Sequence, residues 1–349
     1  LITPFCGVLA DRLGYRLPML WGVLAEAGAT ALFCWAGDFP LMLVARVLQG
    51  AASACTWTAG LAFIAEHFAA RRVEMMGLAM VGSTAGSVLG PTVGGTLFDS
   101  GGYALPFVVT GVMVAVDACL RFLFLPAGRG GTARVPLATI ISDRAILAGA
   151  LAVGMAAAGW AVVEPLLPNH LERTVGATAG TIGMMFAIST LVYGAMAQVV
   201  SRATDRFGVR PTICAGMLMM AVALPMLALA HGVWMAGLAL CLVSMAYAFT
   251  LNPASAELGN AVDRRGLDCY AAVYAIYNIA YSLGMLSIDA FAATIANRLP
   301  FVQALLIVSG LLVGSIPVLL LAARAARPVV PAASSATSVS FDQDPGEDA

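Results

Sequence analysis

The sequence contains no lysine: all 18 basic residues are arginines, and charged residues of both signs make up only 11% of 349 positions, against 60% hydrophobic. With a mean hydropathy of +0.90, this composition excludes a water-soluble domain of this size and implies an all-α polytopic membrane protein. Histidine is scarce: His67, His170 and His231 stand singly, with no metal-ligand spacing. The seven cysteines are odd in number, form no CxxC and fall mostly inside apolar runs, so they read as small packing residues and not as disulfides or metal ligands. No Asn-x-Ser/Thr glycosylation acceptor is present. No His/Cys/Asp cluster or nucleophile constellation supports an enzyme. The expectation is therefore no metal, no cofactor and no nucleic-acid partner.

What is present is a repeat. Gly7-Val8-Leu9-Ala10-Asp11-Arg12-Leu13-Gly14-Tyr15-Arg16 returns in its polar core as Asp205-Arg206-Phe207-Gly208-Val209-Arg210, 194 residues later. In both copies an apolar run ends, Asp-Arg, Gly and Arg follow at the same offsets, and a new apolar run begins. Gly supplies backbone angles that other residues avoid, Arg holds the turn at the cytoplasmic surface, and Asp can cap a nearby helix. Each copy alone could be an ordinary basic turn. Two at half-protein spacing point to duplicated helical halves.

Apolar runs of spanning length place membrane helices near 18 to 36, 40 to 65, 76 to 98, 103 to 125 and 145 to 167, then near 178 to 200, 211 to 230, 233 to 256, 269 to 292 and 300 to 323. Alternate loops then carry Arg12, Arg16; Arg71, Arg72; Arg121, Arg129, Arg134, Arg144; Arg202, Arg206, Arg210; Arg264, Arg265; and Arg324, Arg327. The opposite loops hold only Arg173 and Arg298, so the rich side is cytoplasmic. The chain begins with Leu inside an apolar run too short to span, and the expectation is a fragment with an upstream span missing: about ten full spans of an expected twelve. Residues 1–125 form the first half, 126–145 a cytoplasmic link, 146–323 the second half and 324–349 a disordered cytoplasmic tail.

Three signatures make the chain resemble a major facilitator superfamily transporter: the doubled turn; Arg46-Val47-Leu48-Gln49-Gly50, similar to the Arg-x-x-Gln-Gly pattern of that family's fourth helix; and Gly86-Ser87-Val88-Leu89-Gly90-Pro91-Thr92-Val93-Gly94-Gly95, similar to the antiporter signature of its fifth. Arg46 keeps its proton even in an apolar run, so it faces a cavity or an acceptor. It either organises a site, the role the resemblance implies, or forms a structural ion pair. Gly82, Gly86, Gly90 and Gly94 share one helix face and would admit a close neighbour, beside a bend at Pro91. The resemblance implies a seam between helices that switches access.

Glu164-Pro165-Leu166-Leu167-Pro168 and Val273-Tyr274-Ala275-Ile276 are similar to vesicular amine transporters. That resemblance implies a protonatable exchanger in Glu164, which could instead be a solvated rim residue. Two buried aspartates of those transporters align with Leu251 and Asn278, which puts amine antiport of that type in doubt. Tyr270, Tyr274, Tyr277 and Tyr281 form a helical stripe with Asn278 beside it, able to stack on a substrate or to pack against a helix. Asp117 and Arg121 are read as a structural pair, and Glu26 ranks below Arg46 and Glu164.

The function expected is proton-coupled export of a small amphipathic organic compound by a monomer, with Arg46, Gln49, Glu164, Tyr274, Tyr277 and Asn278 at the site. Its partners are the substrate, protons and the lipid bilayer, with a proton gradient as the energy source. The alternatives are an uncoupled facilitator and a non-transporting relic or sensor. The expected residence is the plasma membrane, with an organelle or vesicle membrane as the alternative.

Overall fold

A computed structural model describes residues 2–126, 143–265, 269–295 and 300–324. Most of the expected link and the tail lie outside these residues. Twelve α-helices follow in order: α1 (Thr3–Leu13), α2 (Arg16–Trp35), α3 (Phe39–His67), α4 (Arg72–Gly101), α5 (Ala104–Phe124), α6 (Arg144–Ala161), α7 (Val163–Val175), α8 (Ala179–Phe207), α9 (Val209–Ala228), α10 (Val233–Arg265), α11 (Tyr270–Ile295) and α12 (Phe301–Arg324).

Among the described residues nine helical stretches are long and apolar enough to cross a bilayer, α6 and α7 together making one of them. The tenth expected span is α4, a 30-residue helix rich in Gly, Ser and Thr. Helix starts carry local caps. Asp38 accepts the Leu41 N–H at 3.1 Å, Asp143 the Ala145 N–H at 2.7 Å, and Thr178 the Thr181 N–H at 3.3 Å. The span from Arg144 to Val175 is interrupted at Val162, just before Glu164 and Pro165. Pro165, which has no N–H to give, falls in the first turn of α7, where none is needed.

The repeat is visible in three dimensions. Gly14 (φ 80°) and Gly208 (φ 90°) both take the left-handed backbone that the two tight turns require. The same 194-residue offset continues to Gly22 and Gly216. A methyl at Gly22 would clash with the Thr56 hydroxyl, and one at Gly216 with the hydroxyl of Thr250, so α2 lies on α3 as α9 lies on α10. Thr56 and Thr250 are again 194 apart.

The halves meet through α1 against α11, α4 against α8, α3 against α11 and α4 against α10. Packing is densest in the second half, where α6, rich in alanine, is buried among α10, α11 and α12. Large apolar side chains such as Phe5, Trp35 and Trp234 remain exposed, as expected of surfaces whose solvent is hydrocarbon. Cys6 and Cys55 are paired as a disulfide between α1 and α3, Cα–Cα 5.0 Å, which corrects the reading of all seven cysteines as packing residues. The other five form no disulfide. The two partners are 49 residues apart, and only the crossing of α1 on α3 brings them together.

Candidate functional site

The arginine-rich ends of the two halves are locked together. Asp11, in the first turn motif, accepts the backbone N–H groups of Ala271 at 2.8 Å and Ala272 at 2.9 Å, capping the start of α11 in the other half. A carboxylate at a helix N-terminus satisfies orphan donors and opposes the helix dipole. Gly7, one turn earlier, permits the approach: a methyl there would lie 2.8 Å from the Ala271 carbonyl oxygen. Beside this cap Arg72 is only 2% exposed. Its guanidinium donates twice to the Ala65 carbonyl, to Asn260 Oδ1 and to Asp263 Oδ2 at 2.8 Å. Asp263 also accepts from the Tyr270 hydroxyl, and the Tyr270 ring lies 5.8 Å from the Arg72 guanidinium carbon.

Further pairs surround this lock. The Tyr15 hydroxyl donates to Glu66; burial first, and then that carboxylate, push the phenol well above its ordinary pKa. The Arg71 guanidinium, hydrogen-bonded to Glu74, holds that carboxyl below the usual range. Arg265 pairs with Asp143, Arg264 with Glu257 and Arg121 with Asp117, the last as the sequence suggests.

Above the lock lies a cavity of about 750 Å³ between the halves. Trp57 of α3, Met80 of α4, Tyr247 of α10, and Tyr277, Asn278 and Tyr281 of α11 supply its larger walls. At about 1.5 Å rise per residue, Trp57 and Tyr281 stand roughly 15 Å above the arginine-rich ends of their helices, close to the middle of a hydrocarbon core about 30 Å thick. Its floor is tied across the halves: the Asn278 amide donates to Thr58 Oγ1 at 2.7 Å, and the Tyr277 hydroxyl faces Met80 Sδ at 3.8 Å. Its wall is an aromatic stack. Trp160 lies on Tyr247 (5.3 Å between centroids), the Tyr247 and Tyr281 hydroxyls are 3.2 Å apart, and Tyr281 stacks on Tyr277.

Of the residues expected at the site, Tyr277 and Asn278 line this cavity. Tyr274 is buried one turn below and donates to the Ser255 carbonyl at 2.8 Å. Glu164 is exposed and outside the lining, accepting from Trp160 Nε1 at 2.9 Å. Arg46 is one turn beyond Gly50 on the cavity stripe of α3, outside the lining. It donates to Gln49 at 2.9 Å, Gln49 donates to Glu26 at 3.0 Å, and Phe33 lies 4.9 Å beneath the guanidinium. Glu26 is thus part of one chain with Arg46.

The turn motifs differ in use. Asp11 and Gly7 reach across the halves, and Arg16 donates to the Phe122 carbonyl at 2.6 Å, while Arg12 is exposed. In the second copy Gly208 makes the turn, Asp205 and Arg206 are exposed and Arg210 is half-buried. The glycine stripe of α4 has no close neighbour among the described residues. Nothing described lies within 4 Å of a methyl built at Gly82, Gly86, Gly90, Gly94 or Gly95. The close approach is made instead at Gly77, where a methyl would meet Ala197 Cβ at 2.8 Å and Asn252 Nδ2 at 2.9 Å. Gly77 lies toward the arginine-rich end of α4, where α8 and α10 meet it. Side-chain surroundings of Pro91 are outside the described residues.

Sequence reasoning missed Arg72, Asn260 and Asp263, which read as parts of basic loops, and Tyr247 and Trp57, which read as ordinary apolar-run residues. It also missed the buried pair in which the Tyr193 hydroxyl donates to Asn252 Oδ1 at 2.6 Å. Among the described residues no group of three or more His, Cys, Asp or Glu could hold a metal ion.

The sequence model of the Major Facilitator Superfamily matches residues 1–145 and 149–343. Among curated proteins, the synaptic vesicular amine transporter of Mus musculus is 28% identical over 318 residues, covering 86% of this chain and 59% of its own length. The chromaffin granule amine transporter of Rattus norvegicus is 28% identical over 294 residues, covering 81% of this chain and 56% of its own. The chain therefore spans somewhat over half the length of these relatives. Among solved structures, the human organic anion transporter MFSD10 superposes with a TM-score of 0.75 at 18% identity, over 91% of this chain and 80% of that one. The transporter FucP in its outward conformation gives 0.73 at 17% identity, over 94% and 87%.

Proposed function

The chain belongs to the Major Facilitator Superfamily, and from that premise we propose that it forms most of a proton-coupled transporter that exports a small amphipathic organic compound by alternating access. The observation that carries the reading is a drug-sized cavity between two halves that Asp11 and Arg72 tie together on the arginine-rich side. Release of Asp11 from α11 and of Arg72 from Asp263 would free those ends to part while the outer ends close, rocking the halves about the cavity.

Coupling is assigned to Glu164. Its bond to Trp160, which stacks on the cavity residue Tyr247, links protonation to the shape of the wall without requiring that proton and substrate share one carboxylate. Tyr277 and Asn278 meet the substrate, and Arg46 with Gln49 stands at the mouth. A second reading, an uncoupled facilitator, is favoured by one observation: Glu164 is not among the lining residues. The protein is proposed to act as a monomer in the plasma membrane; the vesicular and granule names of the relatives favour a vesicle membrane as the alternative.

The test is side-specific labelling. Cysteine placed at Ser53 or Ser282 in the cavity, with the five cysteines outside the disulfide replaced, should react with an impermeant thiol reagent from the outer side. Substrate should shift that reactivity to the arginine-rich side. Reactivity fixed to one side under all conditions contradicts alternating access.

A further inference from the structure

At their ends away from the arginine-rich loops, α8 and α10 flank a second cavity of about 750 Å³. Thr181, Met184 and Ile188 of α8 form one side of this groove, and Trp234 and Leu238 of α10 the other. Among the described residues none of its lining comes from α4. Met184 is 63% exposed, Leu238 64% and Trp234 93%. Such exposure shows only that the surrounding solvent reaches these side chains. Glycine in both walls, Gly180 and Gly237, adds room for a helix backbone to approach.

The register of an interface already formed points to the occupant. α4 runs antiparallel to α8 and α10: a methyl at Gly77 would meet Ala197 and Asn252, and one turn farther out Val81 faces Gly194. Eighteen residues beyond Gly77 is Gly95; eighteen before Asn252 is Trp234, and seventeen before Ala197 is Gly180. At about 3.6 residues per turn, eighteen residues make five whole turns, so Gly95 returns to the helix face of Gly77. It falls at the level of Trp234 and Gly180, where the groove lies. Gly86, nine residues from Gly77, is on the opposite face. The outer end of α4 is unseated in this structure: nothing described lies within 4 Å of a methyl at Gly95, and Val93 and Phe98 beside it are half exposed. Apolar burial drives no association in lipid, so seating a helix there requires the close small-residue approach that Gly95 and Gly180 allow and that Gly77 already makes with Ala197. We propose that the groove is the seat of the outer half of α4. When the arginine-rich ends part, α4 leaves Ala197 and Asn252 and closes the outer side by setting Gly95 against Gly180 and Trp234.

This assignment rests on the transport reading above, and paired cysteines test the two separately. The five cysteines outside the disulfide are first replaced, and the full chain is oxidised with copper phenanthroline in proteoliposomes. A Cβ built at Gly194 lies 3.8 Å from Val81 Cβ, a separation suited to a disulfide, so Val81→Cys with Gly194→Cys reports the arginine-rich seat and correct folding. Gly95→Cys with Trp234→Cys reports the groove. In an otherwise unaltered chain the first pair should crosslink and the second only weakly. Adding Asp11→Ala should lower the first and raise the second several-fold, while Gly86→Cys with Trp234→Cys stays uncrosslinked. A fall in the first pair with no rise in the second overturns the inference alone, as does crosslinking of Gly86→Cys in place of Gly95→Cys; the groove is then left to lipid. If neither pair responds to Asp11→Ala or to substrate, alternating access fails, and the seat for α4 fails with it.

Discussion

The Asp11 carboxylate and the Ala271 N–H stand 2.8 Å apart although 260 residues separate them, and this bond joins the two halves at their arginine-rich ends. With the second bond to Ala272 it makes a helix cap of a residue that belongs to another element altogether. Replacing Asp11 by Asn keeps an acceptor but removes the charge that opposes the α11 dipole. The expected cost to the closed arrangement is about 1 kcal/mol, and about 2 kcal/mol for Asp11→Ala. Double electron–electron resonance between spin labels on the arginine-rich ends of α1 and α11 should show the population of the separated state rising in that order.

Arg72 is the buried charge on which the same closure depends. Arg72→Lys cannot reproduce the fork that reaches Ala65, Asn260 and Asp263 together. Arg72→Ala leaves those acceptors without their donor, and because Asp263 is 41% exposed and stays solvated, the expected cost to the closed state is about 1 to 3 kcal/mol. Thermal unfolding in detergent should drop in both variants, most in the alanine, with Asp263→Asn intermediate.

Gly77 and Gly86 lie on one helix and should answer differently to the same substitution. Gly77→Ala places a methyl against Ala197 and Asn252 across the interface and should open the arginine-rich side. Gly86→Ala meets open space and should stabilise α4 by up to about 1 kcal/mol without moving the equilibrium between states. The spin-label distances that report on Asp11 serve here as well.

The tie between Asn278 and Thr58 makes the floor of the cavity. Thr58→Val removes the acceptor at 2.7 Å while keeping side-chain shape, leaving a half-buried amide donor unpaired at about 1 to 3 kcal/mol. Substrate affinity should change more than helicity, so binding and circular dichroism measured together distinguish a site effect from unfolding.

Which parts of this were legible in the sequence follows from range. The doubled turn was, because left-handed backbone at Gly14 and Gly208 leaves a local residue signature. The spans were, because lipid imposes a length and an apolar composition on each. Arg46 attracted attention as a charge within an apolar run, yet it is exposed beside Gln49 and Phe33. Among the described residues the arginine that is buried is Arg72, at a span end where the sequence offers only a basic loop. Its partners Asn260 and Asp263 are 188 and 191 residues away, and no local pattern announces such a meeting. The same holds for Cys6 and Cys55, and for Tyr247, whose position against Trp160 and Tyr281 exists only once α6, α10 and α11 are packed.

The central claim is that proton movement through Glu164 drives transport through the cavity. The most direct measurement is accumulation of small amphipathic organic compounds in proteoliposomes under an imposed proton gradient, comparing wild type with Glu164→Gln. The account predicts gradient-driven accumulation in the wild type and its loss in the variant, with exchange at equilibrium retained. Accumulation that is equal in both proteins, or equilibration that ignores the gradient in the wild type, would contradict it.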